Sequence, residues 1–178
     1  MNRTAASIAA LSLLFCACHS ATAAFTAPTP AQIAAAANNP EVEMAGILSE
    51  ASPEQAASVV TSVIVKVLAL GLNADAQAAR ITAVVMGAFA AIPQAQQLAF
   101  AAALGKAVAN SAAISAAVGC TSLIQAAVAT AGGPQSGTAL AQTFGGSYQA
   151  AIETGGSLAG QAQVEAPPVS TVYPGQDR

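Results

Sequence analysis

The chain reads as all-α: a small alanine-rich helical bundle or helical-hairpin array of about five or six helices, preceded by a cleaved signal peptide and followed by a disordered tail. Three observations predict this. Alanine supplies 42 of the 155 residues beyond position 23, and alanine forms helices best because it gives up no side-chain rotamer freedom. Apolar side chains recur at helical spacing in segment after segment. Proline, serine, asparagine and glycine then punctuate those segments where helix starts and stops require them.

Residues 1–23 read as an export signal. Arg3 precedes the apolar run 5–18, and Ala21-Thr22-Ala23 offers small residues for a peptidase, so the mature chain begins at Ala24. A retained anchor fits less well, because the run is shorter than the ~20 residues that cross a bilayer. An envelope lipoprotein would carry lipid on Cys16 or Cys18. Neither cysteine follows the Leu-small-small order of such signals, since Phe15 precedes Cys16 and Phe15-Cys16-Ala17 precedes Cys18.

Residues 24–39 form a leader with a short helix, capped by Thr29-Pro30 and ended by Asn38-Asn39. The helical domain, 40–133, follows. Asn39 caps a helix that opens on Pro40, where a missing N–H costs nothing, and Glu41 and Glu43 in its first turn suit the helix dipole. This helix is expected to run to about Ala51. Ser52-Pro53-Glu54-Gln55 is the clearest local signal, a capping box with proline at the first helical position. The helix over 53–70 puts Val60, Val63, Ile64, Val67 and Leu68 on one face, while Val59, Val65 and Leu70 lie on others. A helix apolar nearly all round is central to its fold, or lies in a membrane or an oligomer interface.

Gly71 and Asn73 supply a stop and a new cap, with Asp75 at the next N-terminus. Ile81, Val84, Val85, Ala88, Phe89 and Ile92 then form the strongest amphipathic stripe of the chain, with Gln77 and Arg80 outside it. Pro93 starts a helix that aligns Phe100, Leu104 and Val108, and Gln94, Gln96, Gln97 and Lys106 give it polarity. Asn110-Ser111 caps a helix over 112–131 carrying Ile114, Ala117, Ile124 and Val128, which Gly132-Gly133-Pro134 closes. In 134–160 Leu140, Phe144, Tyr148 and Ile152 keep the stripe, but Gly145-Gly146 interrupts it and Gly155-Gly156 follows, so one marginal or kinked helix is expected. Residues 161–178 hold Pro167, Pro168 and Pro174 with little aliphatic content and read as the disordered tail. Pro53, Pro93 and Pro134 recur at 40 and 41 residues, the punctuation of a helical-hairpin repeat, although residue identity between the copies is poor.

Composition excludes several functions. With the signal removed, no histidine or tryptophan remains and Cys120 is the sole cysteine, so no internal disulfide can form. Lys66, Arg80, Lys106 and Arg178 oppose eight acidic residues, a net charge of 4 − 8 = −4 for 24–178. Four dispersed cations give no footprint for nucleic acid or for anionic lipid heads. An alanine core is also thin, since each buried methyl is worth only ~0.8 kcal/mol against ~1.5–3 for Val, Leu or Ile. Helices must therefore approach closely, or partners must add burial.

No catalytic, cofactor-binding or metal-binding set emerges. Glu41, Glu43, Glu50 and Glu54 cluster in sequence, and Glu43 and Glu50 would share a helix face able to offer oxygen ligands to a cation. Helix dipoles explain the same placements more simply. Cys120 lies near an apolar face and reads as a buried small hydrophobe; as a nucleophile it lacks a histidine base. A Ser-Lys pair through Lys66 or Lys106 has no motif to select its serine. The β-branched run 59–67 reads as helix after its capping box, with a strand or an aggregating segment as the alternative. Tyr173-Pro174-Gly175 is a candidate linear ligand in a tail that otherwise reads as solvated.

The expectation is an exported protein, periplasmic or extracellular, that is not an enzyme and acts through a protein partner or as a homo-oligomer. Membrane association is the second reading, from the mean hydropathy of +0.58, and an envelope lipoprotein the third. Lys66 inside the most apolar helix opposes the second, because a charge near a bilayer centre costs at least ~2.5 kcal/mol.

Overall fold

Several helix starts among the described residues are set by short-range chemistry. The computed structural model describes residues 25–161, with side chains as far as Gly155, so the expected signal peptide and the tail beyond Gln161 lie outside the described residues. Within that span are eight α-helices and no strand: α1 (Pro30–Asn38), α2 (Pro40–Leu48), α3 (Pro53–Leu68), α4 (Ala74–Ala91), α5 (Gln97–Ala109), α6 (Ala112–Ala116), α7 (Cys120–Ala131) and α8 (Gly133–Gln161).

Two capping boxes and one side-chain cap set the early starts. Thr29 and Gln32 satisfy each other's backbone N–H groups at 3.3 and 2.8 Å ahead of α1. Ser52 and Gln55 do the same at 3.3 and 2.9 Å ahead of α3. The Ala76 N–H donates to the Asn73 side chain at 2.8 Å ahead of α4. Asn39 does stand before α2, but its side chain makes no cap; its own N–H donates to the Ala35 carbonyl and closes α1 instead. The expected end of α2 near Ala51 moves back to Leu48, because Glu50 takes a left-handed conformation at φ 63° that ends the helix.

The helices lie in two rows. α1, α3, α5 and α8 pack side by side in one, and α2, α4 and α7 in the other, with α1 on α2, α3 on α4 and α7 on α8 crossing between rows. Every helix of the first row is entered through a proline: Pro30, Pro53, Pro93 and Pro134. The apolar faces meet between the rows, where Ile64, Val84, Phe89, Phe100, Ile124 and Phe144 are buried and Phe89 meets Phe100 edge-on at 4.8 Å. As its all-round apolar character requires, α3 is central, flanked by α1, α4, α5 and α6. Its β-branched run is helical, and only the side bearing Ser58, Ser62 and Lys66 faces solvent.

The expected count of five or six helices is corrected to eight, for two physical reasons. The short α1, expected as part of a leader, is a full member of the first row. The single helix expected over 112–131 is split: Ala117 is extended, Gly119 adopts φ 76°, and the chain turns at Val118 so that α7 can reach α4 and α8. Pro93 likewise opens a single 3-10 turn, Gln94–Gln96, before α5.

The expected marginal helix over 134–160 is the longest of all. α8 runs unbroken through Gly145-Gly146 and includes Gln161, the first residue of the expected tail. Its glycines do not break it; two of those in and near it admit close approach. A Cβ on Gly137 would overlap the Ala129 carbonyl oxygen of α7, and a Cβ on Gly105 of α5 would overlap the Phe144 carbonyl oxygen of α8. The close apposition that an alanine-rich core demands is thus made where backbone meets backbone.

Candidate functional site

Among the described residues no polar or charged side chain is buried, and no buried side-chain polar atom lacks a hydrogen-bond partner. Among the described residues, Cys120 is the one titratable group that burial holds away from water.

The acidic residues singled out in the sequence are dispersed. Glu41 and Glu43 sit in the first turn of α2, Glu54 in that of α3, and Glu50 in the turn between. The Ser52 hydroxyl donates to the Glu54 carboxylate at 3.0 Å. No group of three or more potential His, Cys, Asp or Glu ligands gathers among the described residues. Lys66 and Lys106 are exposed in the last turns of α3 and α5, where a cation suits the helix dipole. Cys120 is buried at the start of α7, and burial pushes its thiol above the usual range, which disfavours the reactive thiolate. Tyr173-Pro174-Gly175 lies outside the described residues.

Two polar residues have roles that the sequence did not reveal. Arg80 of α4 reaches across to donate to the Ala37 carbonyl at 3.4 Å, closing the C-terminal end of α1. Gln97 donates to the Phe89 and Ile92 carbonyls at 3.1 and 3.4 Å and so closes α4. Both are structural. Their signal was hidden because each acts on a helix other than its own.

The surface is more distinctive than the interior. Residues 107–152 contain no charged side chain, 46 consecutive residues between Lys106 and Glu153. They build α6, α7 and most of α8. At the turn between α6 and α7, Val118 is fully exposed at 104 %, the most exposed large apolar side chain described. Together with Ser115, Gly119, Gln125, Phe144 and Tyr148 it lines a hollow of about 530 Å³ that opens between α7 and α8. Gln125 spans the two helices by donating to the Ala141 carbonyl at 3.3 Å, and the Phe144 and Tyr148 rings stack at 6.3 Å along α8. Ile152, 43 % exposed, continues that line one turn further. The charge-free run was visible in the sequence, but the exposure of Val118 depends on the break that separates α6 from α7.

No described helix is by itself both long and apolar enough to cross a membrane; α4 and the segment Gln94–Ala109 meet that measure only together, across a bend of 113°. The apolar stripes of that pair, including Val84, Phe89, Phe100 and Leu104, face the core. Comparison with protein-family models, curated proteins and solved structures finds no match to this chain.

Proposed function

We propose that this protein is an exported helical module without catalytic activity of its own, working through protein contacts made by the uncharged face of α6, α7 and α8. One observation carries the reading: a fully exposed valine stands at the rim of an open hollow, within a segment of 46 residues that carries no charge. Interface cores are depleted of charge, whereas ordinary surfaces carry interspersed charge that keeps them apart. The all-round apolar α3 supplies no such face, since its neighbours in the fold already cover it.

A photo-crosslinking residue in place of Val118, expressed in the native host, tests the reading, with the same residue at Ser58, on the solvent-facing side of α3, as control. Protein adducts at 118 well above those at 58 are expected. Equal yields at both positions refute it. Mass spectrometry of the recovered chain tests export separately, with Ala24 expected at the N-terminus and an intact Met1 counting against it.

A further inference from the structure

We infer that the α-amino group freed when the export signal is cut before Ala24 forms an ion pair with the carboxylate of Glu50, a contact that the uncut precursor cannot make. The inference rests on the export reading above and adds what the new N-terminus does.

Phe25, the first described residue, is half-buried against the core, and four residues on the capping box at Thr29 fixes the start of α1. The chain therefore enters the fold at a defined place. Phe25 lines two hollows there, one of about 290 Å³ reaching Gln32 and Ile47, the other of about 670 Å³ reaching Pro53 and Pro93. Apart from Phe25 the two hollows share only Ser49 and Glu50. Residue 24 follows by covalent geometry, its Cα about 3.8 Å from that of Phe25, which brings its nitrogen within reach of the Glu50 side chain.

Charge completes the argument. Before cleavage that nitrogen belongs to a neutral amide, and after it to an amine that titrates at about 7.7–8.0 and is mostly ammonium at neutral pH. Among the described residues lining either hollow, Glu50 is the one titratable side chain, and no lysine or arginine accompanies it. The cation created by cleavage meets a single carboxylate. Glu50 is also the only non-glycine at positive φ among the described residues, at 63°, where glycine would sit with less strain. Keeping a carboxylate at that cost is understandable if the side chain is used. Because Glu50 is exposed, the pair adds little to stability. Its mark falls on the proton affinity of the amine.

Acylation of the N-terminal amine at pH 7, followed by mass spectrometry on the folded chain recovered from the native host, provides the test. Ala24 should react about fivefold more slowly than in Glu50→Gln, the factor that a unit charge at 4 Å exerts through water. Raising salt from about 0.05 to 1 M should remove most of that difference. Glu41→Gln makes the same change of charge at the start of α2, outside both hollows, and should leave the rate unchanged. Equal rates in the parent and Glu50→Gln overturn the inference, as does an equal acceleration by Glu41→Gln, and both leave the export reading standing. If Glu50→Gln fails to fold, the parent decides alone, and a rate that does not rise with salt overturns the inference. A mature chain starting at a residue other than Ala24 also overturns it, and an intact Met1 overturns both readings.

Discussion

Alanine placed at Gly137 and at Gly146, nine residues apart in the same helix, should change stability in opposite directions. Both sites lie inside α8, where replacing glycine by alanine gains up to ~1 kcal/mol from backbone entropy alone. At Gly146 nothing lies within 4 Å of the new methyl group, so the gain should appear nearly whole. At Gly137 the methyl overlaps the carbonyl oxygen of Ala129, a backbone atom that no rotamer change can move aside. Restoring ordinary contact parts α7 from α8 by about 1 Å, and a gap of that size forfeits up to half of each contact it opens. Overpacking of this kind costs about 1–3 kcal/mol, with the upper end apt for a backbone clash. The net loss is then ~2 kcal/mol for Gly137→Ala against a gain of ~1 kcal/mol for Gly146→Ala. Urea unfolding followed at 222 nm measures both, and at roughly 4 °C per kcal/mol the melting temperatures should fall by ~8 °C and rise by ~4 °C. A Gly137→Ala protein at least as stable as the parent would refute the reasoning that the α7–α8 contact is limited by backbone.

Three further outcomes follow from other sites. Glu50 is the only non-glycine at positive φ among the described residues, so Glu50→Gly should raise stability by about 1 kcal/mol in the same unfolding assay, relieving a left-handed strain of ~1–2 kcal/mol less the entropy glycine adds. Ser52→Ala removes the hydroxyl that caps α3 and should cost ~1 kcal/mol, whereas Ser58→Ala, exposed on the same helix, should cost far less. Burial raises the Cys120 thiol above its ordinary value of 9.0, so the folded state holds that proton more tightly than the unfolded chain does. Stability from this source is complete below pH 9 and is lost as pH climbs past it; a chemical-denaturation series from pH 7 to 10.5 should fall at its alkaline end, and replacing Cys120 with Ala should flatten the fall.

The features legible in the sequence are those decided within one turn of chain. Thr29, Ser52 and Asn73 cap their helices because the N–H groups they accept lie three residues away, whereas Asn39, in the same position before α2, makes no such bond. The stripe from Ile81 to Ile92 marks a buried face for the same reason of periodicity. Glycine misled the reading of α8, since one residue type serves both to stop a helix and to let another approach. Only the position of Ala129 on α7 tells which role Gly137 has. The break at Val118-Gly119 was illegible because it exists to redirect α7 toward α4, a requirement set far along the chain. The candidate surface was half legible. Its lack of charge stood open in the sequence, while the exposed valine and the hollow required that break. The four glutamates, close in sequence, are separated by the turn at Glu50 and never converge.

The two-row packing also suits assembly in chain order. Every helix finds its neighbours one, two or three elements away, so no early segment must wait for a distant one before it can bury its face. A chain paid out slowly, N-terminus leading, from a ribosome or a translocation pore can add helices one after another to a growing edge. Only the last, α8, must arrive whole, since it seals α5 and α7 together. Until it does, the half-built protein presents those two helices bare, and that interval is when a chaperone would find most to hold.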